Sequence, residues 1–68
     1  MSNEQLKAWR ERTGLGREAM AQYLGVSVHV WNKWENGQRS PSGAAVRLFE
    51  VLQLAEVLCP DMVAQFKK

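Results

Sequence analysis

The chain has a single cysteine, Cys59, and a single histidine, His29. One thiol cannot close an internal disulfide, and one thiol with one imidazole cannot fill a metal site, so neither staple is available to the fold. Cys59 is expected to behave as a small buried apolar residue beside Pro60. Long apolar runs are missing as well. The opening segment MSNEQLKAWRERTG has no apolar core of the kind a signal peptide needs, and the longest apolar region is broken by Arg47, Glu50, Gln53 and Glu56. A soluble, cytoplasmic chain with no membrane partner is the expectation. Paired carboxylates in an evident pocket and a glycine-rich phosphate loop are also absent, so no enzyme, no cofactor and no small-molecule ligand is expected.

What is present is an apolar composition punctuated at short intervals. The 68 residues are 46% hydrophobic, enough for one small domain spanning 1–68. A chain this short buries only about 60% of its unfolded surface, which is marginal unless it pairs. Nine Lys and Arg against seven Asp and Glu give a net charge of +2, with a pI near 9.0. That balance leans toward an anionic partner without imposing one.

Ser2 or Asn3 can cap a first helix over about residues 3–12, with Leu6 and Trp9 on one face, ending before Thr13, Gly14 and Gly16. From Arg17 to Leu24 the pairs Ala19/Tyr23 and Met20/Leu24 repeat at helical spacing and leave Arg17, Glu18, Ala21 and Gln22 outward. Gly25 then supplies a terminating position. Ser27 offers its hydroxyl to unpaired backbone N–H groups, so a third helix begins at Val28 and runs to about Asn36. Two short helices joined by the glycine-containing turn LGVS form a helix-turn-helix arrangement.

The third helix carries two tryptophans in a polar segment, SVHVWNKWENGQRSPS. At about 100° per residue, Val30, Trp31 and Trp34 share one side, while Val28, His29, Asn32, Lys33 and Asn36 take the other. Trp31 can pack on Val26, just before the cap, as a hydrophobic staple. Val26, Val30, Trp31 and Trp34 are therefore the expected anchors of this helix. Its polar side has the chemistry to read base edges: Asn pairs with adenine, Lys donates to guanine, His donates or accepts, and Val28 offers an apolar contact to a thymine methyl. Arg17 and Ser27 at helix N-termini, with Gln38, Arg39 and Ser40 in the following loop, are placed to hold phosphates on either side.

The run REAMAQYLGVSVHVWNKWENGQRSPS resembles the Cro and lambda-repressor type (XRE-type) helix-turn-helix of bacterial and phage regulators. Trp34-Glu35-Asn36-Gly37, followed by Arg39 and Pro41, is the most specific part of the likeness. It covers about residues 5–58 and implies an all-α fold, a compact bundle of four to five helices, with the helix at 28–36 in the major groove of double-stranded DNA. It also implies that Val28, His29, Asn32 and Lys33 read bases, in a cytoplasmic, nucleoid-associated protein of a bacterium or phage-infected cell. The chain departs from the pattern at Gly16-Arg17, where Ser/Thr-Gln is usual and the glutamine binds phosphate, and at Trp31, where a smaller aliphatic residue is common. Glu35 is acidic in a DNA-facing region, so it is expected to be structural, pairing with Arg39 or a backbone N–H.

The remaining third reads as one longer helix and a tail. Ser40 or Ser42 can cap it, with Pro41 near its first turn, and Ala44, Ala45, Leu48, Phe49, Val51, Leu52 and Ala55 form a broad apolar stripe ending at Cys59-Pro60. Asp61 to Phe66 can add a last turn, and Lys67 and Lys68 are expected to be loose. Val46, Leu54, Val57, Met62, Val63 and Phe66 exceed what one small bundle covers, so the part at about 43–66 is expected to form a twofold homodimer, the other outcome being a tail that folds back over them. The expected function is a homodimeric sequence-specific repressor of its own operon, reading an inverted repeat with half-sites one helical turn apart. Two protein-partner alternatives remain: an antitoxin that binds a toxin and its own operator, and an accessory module that has lost its DNA face.

Overall fold

α1 (Asn3–Thr13) starts where Ser2 and Gln5 satisfy each other: Ser2 Oγ accepts from the Gln5 N–H at 3.2 Å, and Gln5 Oε1 accepts from the Ser2 N–H at 2.8 Å. Of the two cap candidates it is Ser2 that serves. The computed structural model describes residues 1–66, so the expectation for Lys67 and Lys68 falls outside the described range. Four further helices follow: α2 (Arg17–Leu24), α3 (Val28–Glu35), α4 (Gly43–Leu58) and α5 (Pro60–Ala64). Among the described residues there is no strand, as the all-α expectation requires.

The joint between α2 and α3 is built from backbone chemistry. Gly25 takes φ 74°, the left-handed region where a side chain costs energy. Its N–H donates to the Gln22 carbonyl at 3.2 Å and the next N–H, of Val26, to Ala21 at 2.9 Å, the two bonds of a Schellman ending. One residue on, Ser27 Oγ accepts from the Val30 N–H at 3.2 Å and starts α3. α3 ends in the same way. Gly37 at φ 77° donates to Trp34, and Gln38 donates to Lys33 at 2.9 Å, so Asn36-Gly37 closes a helix and is no hairpin turn.

The core draws on every helix: Leu6 and Trp9 of α1, Met20, Ala21 and Tyr23 of α2, Trp31 and Trp34 of α3, Phe49 of α4 and Val63 of α5. Its rings form a continuous series. Tyr23 meets Trp9 at 6.5 Å between centroids, Trp9 meets Phe49 at 5.4 Å, Phe49 meets Trp34 at 5.7 Å, and Trp34 meets Trp31 at 6.2 Å. Such pairs contribute about 0.5–1.5 kcal/mol each beyond the area they bury, which matters in so small a core. α4 is fastened at its far end by Glu56. Its carboxylate accepts from Trp9 Nε1 at 3.1 Å and from the Tyr23 hydroxyl at 2.8 Å.

Several sequence expectations change. In α2 it is Ala21 that is buried and Ala19 that is exposed, because the core lies beneath Met20, Ala21 and Tyr23. Ser42, and not Ser40, caps α4, which leaves Pro41 before the helix. The α4 stripe is narrower than read: Phe49 is buried, Ala45, Leu52 and Ala55 are half-buried, and Ala44, Leu48 and Val51 face out. Cys59 is exposed, since it forms the corner between α4 and α5. Val63, expected on a dimer surface, is 1% exposed because α5 turns it back into the core, and Val46 is half-buried.

Candidate nucleic-acid interface

α3 divides as its periodicity predicts. Trp31 and Trp34 are buried, Val26 and Val30 pack against the core, and His29 and Lys33 are exposed. Two expected readers sit lower. Val28 is half-buried and packs with the core, which leaves part of its side chain for an apolar contact, and Asn32 is also half-buried. The exposed polar surface of the helix is thus centred on His29, Lys33 and the rim of Asn32.

Beneath that surface lies a charged network that local patterning does not reveal. Glu35 is buried, its side chain only 1% exposed. Its Oε1 accepts from Arg10 Nη2 at 2.8 Å and from Arg10 Nε at 3.0 Å, while its Oε2 lies 2.9 Å from Arg17 Nε and accepts from Trp31 Nε1 at 3.0 Å. The structural role expected for Glu35 holds, and its partner is different. Arg39 forms no ion pair among the described residues, because α1 and α2 deliver Arg10 and Arg17 to the carboxylate first. Every lone pair used is on a charged acceptor shielded from water, where such bonds are strongest. The network ties α1, α2 and α3 together directly under the polar face.

The positions expected to hold phosphates differ in how free they are. Arg17 has its Nε on Glu35, and its Nη1 donates to Asn32 Oδ1 at 3.3 Å, so two of its three nitrogens are engaged within the protein while the side chain stays partly exposed. Ser27 spends an acceptor lone pair on its helix cap and stays exposed. Gln38, Arg39 and Ser40 are all exposed in the α3–α4 loop, with Arg39 and Ser40 on the rim of a cavity of about 150 Å³ that Asn3 and Trp34 also line. Trp34 Nε1 is buried and has no acceptor among the described residues, so its anchoring comes from ring packing alone.

A second carboxylate, the half-buried Glu56, faces two neutral donors. Burial raises the Tyr23 phenol well above its ordinary value, and the hydrogen bond and negative charge of Glu56 raise it further. This group lies between α1, α2 and α4 and serves packing. Among the described residues no cluster of His, Cys, Asp and Glu could hold a metal ion, and no helix is long and apolar enough to cross a membrane.

Sequence reasoning missed Arg10, Glu56 and Leu58. Arg10 lies 25 positions from Glu35, so no local spacing announces the pair. Glu56 interrupts an apolar region in the sequence, and its place near the end of that region is the signal for a half-buried acceptor. Leu58, 74% exposed, joins Leu54, Val57, Met62 and Phe66 in an uncovered apolar surface on α4 and the C-terminal residues.

The helix-turn-helix geometry agrees with comparison to known proteins. A family model described as "Helix-turn-helix domain" matches residues 4–61. A protein of Methanocella arvoryzae named "Putative HTH-type transcriptional regulatory protein" is 32% identical over 69 aligned residues, which take in all of this chain and 21% of that protein. The chain therefore spans about a fifth of the length of this curated relative. No solved structure gives a significant match. The match over most of the chain, the LGVS joint and the buried Glu35 beneath α3 place it together: the chain belongs to the XRE-type helix-turn-helix family.

Proposed function

We propose that this chain is a sequence-specific, double-stranded DNA-binding domain of a transcriptional regulator, acting as a homodimeric repressor on DNA near its own gene. The observation that carries the reading is α3 itself. Its exposed His29 and Lys33, with Asn32 beside them, stand on a helix whose other face is locked by Trp31, Trp34 and a doubly paired Glu35. A rigid helix with donor side chains outward is what major-groove reading needs, since a loosely held helix would lose its register against the bases. Exposed Gln38, Arg39 and Ser40 support phosphate contacts that set this register.

The uncovered apolar residues Leu54, Val57, Leu58, Met62 and Phe66 support the pairing of two copies through residues 43–66, with Val63 left in the core of each. Two copies related by a twofold axis would present their reading helices about 34 Å apart, which calls for an inverted repeat. An apolar groove between Tyr23, Leu24, Leu48, Leu52 and Phe66 also suits a protein ligand, the feature that favours the antitoxin reading. The test is binding of the purified protein to the duplex upstream of its gene and to a scrambled duplex, from low to physiological salt. The regulator reading expects a preference of about 10³ or more that survives at about 150 mM salt, because phosphate attraction alone fades steeply with salt. Equal, salt-sensitive binding to both duplexes refutes sequence-specific recognition of that region.

A further inference from the structure

We infer that Arg17 sets the base specificity of Asn32, turning it from a reader of adenine into a reader of guanine. The inference rests on α3 being the reading helix. Arg17 opens α2, and its Nη1 lies 3.3 Å from Asn32 Oδ1. A guanidinium carries five donors and no acceptor, so of the two ends of the Asn32 amide only the oxygen can face it. Chemistry alone thus assigns the orientation of this amide. Arg17 in turn is held in place, because its Nε sits 2.9 Å from Glu35 Oε2, an oxygen that also accepts from Trp31. A relay of contacts runs from the buried carboxylate through the partly exposed guanidinium to the amide.

The consequence follows from what each base displays. Adenine is read by an amide that accepts from N6 and donates to N7 with its two ends side by side on one edge. With its oxygen turned back onto Arg17, Asn32 has only its N–H₂ left for the groove, and that nitrogen donates to no group among the described residues. Adenine offers this group N7 alone, with its own N6 donor beside it. Guanine offers two neighbouring acceptors, O6 and N7, and is the base such a group fits. Exposed Lys33, the next residue, adds a second donor and favours the same chemistry. In this role Arg17 is a positioning residue whose principal contacts are inside the protein, in place of the phosphate contact expected from its location.

The test selects duplexes from a randomised library with the full chain and with Asn32→Ala, Arg17→Lys and Arg17→Met. The base facing Asn32 is the position whose preference vanishes in Asn32→Ala. The expected result for the wild type is guanine there, favoured about tenfold or more over adenine. Arg17→Lys keeps a cation for Glu35 but has one nitrogen, which cannot span both the carboxylate and the amide. It should keep the fold, measured by its circular dichroism, and lose the guanine preference at this one position while the other positions keep theirs. Arg17→Met frees the amide and should move the preference toward adenine. Adenine selected by the wild type, or a uniform loss of affinity in the Arg17 variants with all base preferences intact, overturns the inference and leaves the DNA-binding reading standing. Failure of the wild type to enrich any duplex overturns that reading and the inference with it.

Discussion

Replacing Glu35 by glutamine keeps the volume of the side chain and removes its charge, so it isolates what the buried network contributes. The side chain is 1% exposed, and the Arg10 side chain that meets it through two bonds is 16% exposed. Glutamine leaves that guanidinium largely buried without a counter-charge, a loss of about 3–5 kcal/mol for breaking a buried pair. The Arg17 side chain is 43% exposed, so water replaces much of what Glu35 supplies and its share is that of a surface pair, about 0–1 kcal/mol. A domain of 68 residues has a total stability of roughly 3–10 kcal/mol, so Glu35→Gln should remove a third or more of it. Urea unfolding followed by circular dichroism reads the change as a lower midpoint at unchanged slope. Tryptophan fluorescence is a poorer probe, because Trp31 itself donates to Glu35. A loss below about 1 kcal/mol, or a loss in Arg17→Gln equal to that in Glu35→Gln, would refute the assignment of the Arg10 pair as the dominant contact.

Three further outcomes are expected. Gly25→Ala meets no neighbouring atom but must hold φ 74°, so it should cost about 1–2 kcal/mol, read as a fall in melting temperature; an unchanged melting temperature would contradict the left-handed turn between α2 and α3. Tyr23 holds its proton more tightly when folded than in the unfolded chain, where a phenol titrates near about 10. Stability from this group is therefore complete below that pH and lost as pH rises beyond it, and Tyr23→Phe should flatten this part of the alkaline stability curve. Leu54→Ser with Phe66→Ser changes two exposed residues and should leave folding almost intact while lowering both the sedimentation coefficient and operator affinity; no change in either would overturn the proposed dimer surface.

Helix boundaries were legible because the signals that set them are local. Ser2, Ser27 and Ser42 cap helices through bonds to the residue three ahead, and Gly14, Gly25 and Gly37 adopt positive φ at helix ends. The buried side of α3 and the exposure of His29 and Lys33 were legible for the same reason, since helical periodicity acts within one or two turns, while Val28 and Asn32 sit lower than it implies. What sequence could not supply was the partner of Glu35. Arg10 and Arg39 are chemically identical candidates, and only the packing of α1 against α3 decides between them. Val63 was misplaced on similar grounds. α5 has 5 residues, too few for a period to show which side turns inward, and the corner at Cys59-Pro60 settles it.

The two kinds of anchor under α3 have different consequences for recognition. Trp34 holds the helix through ring contacts alone, which a well-fitting apolar residue could partly replace, whereas Trp31 adds a hydrogen bond to Glu35 that no apolar residue supplies. Glu35 is different, because the guanidinium of Arg17 that it holds also touches Asn32 on the outer face. On the proposed reading, a substitution at Glu35 that releases Arg17 also releases the orientation of the Asn32 amide, and is expected to alter base preference as well as how firmly the domain folds. His29 and Lys33 carry no bond to this network among the described residues, and they can be exchanged with little effect on the fold. Target choice on this reading is thus divided between two side chains free of this network, His29 and Lys33, and one, Asn32, that is tied to the buried Glu35 through Arg17.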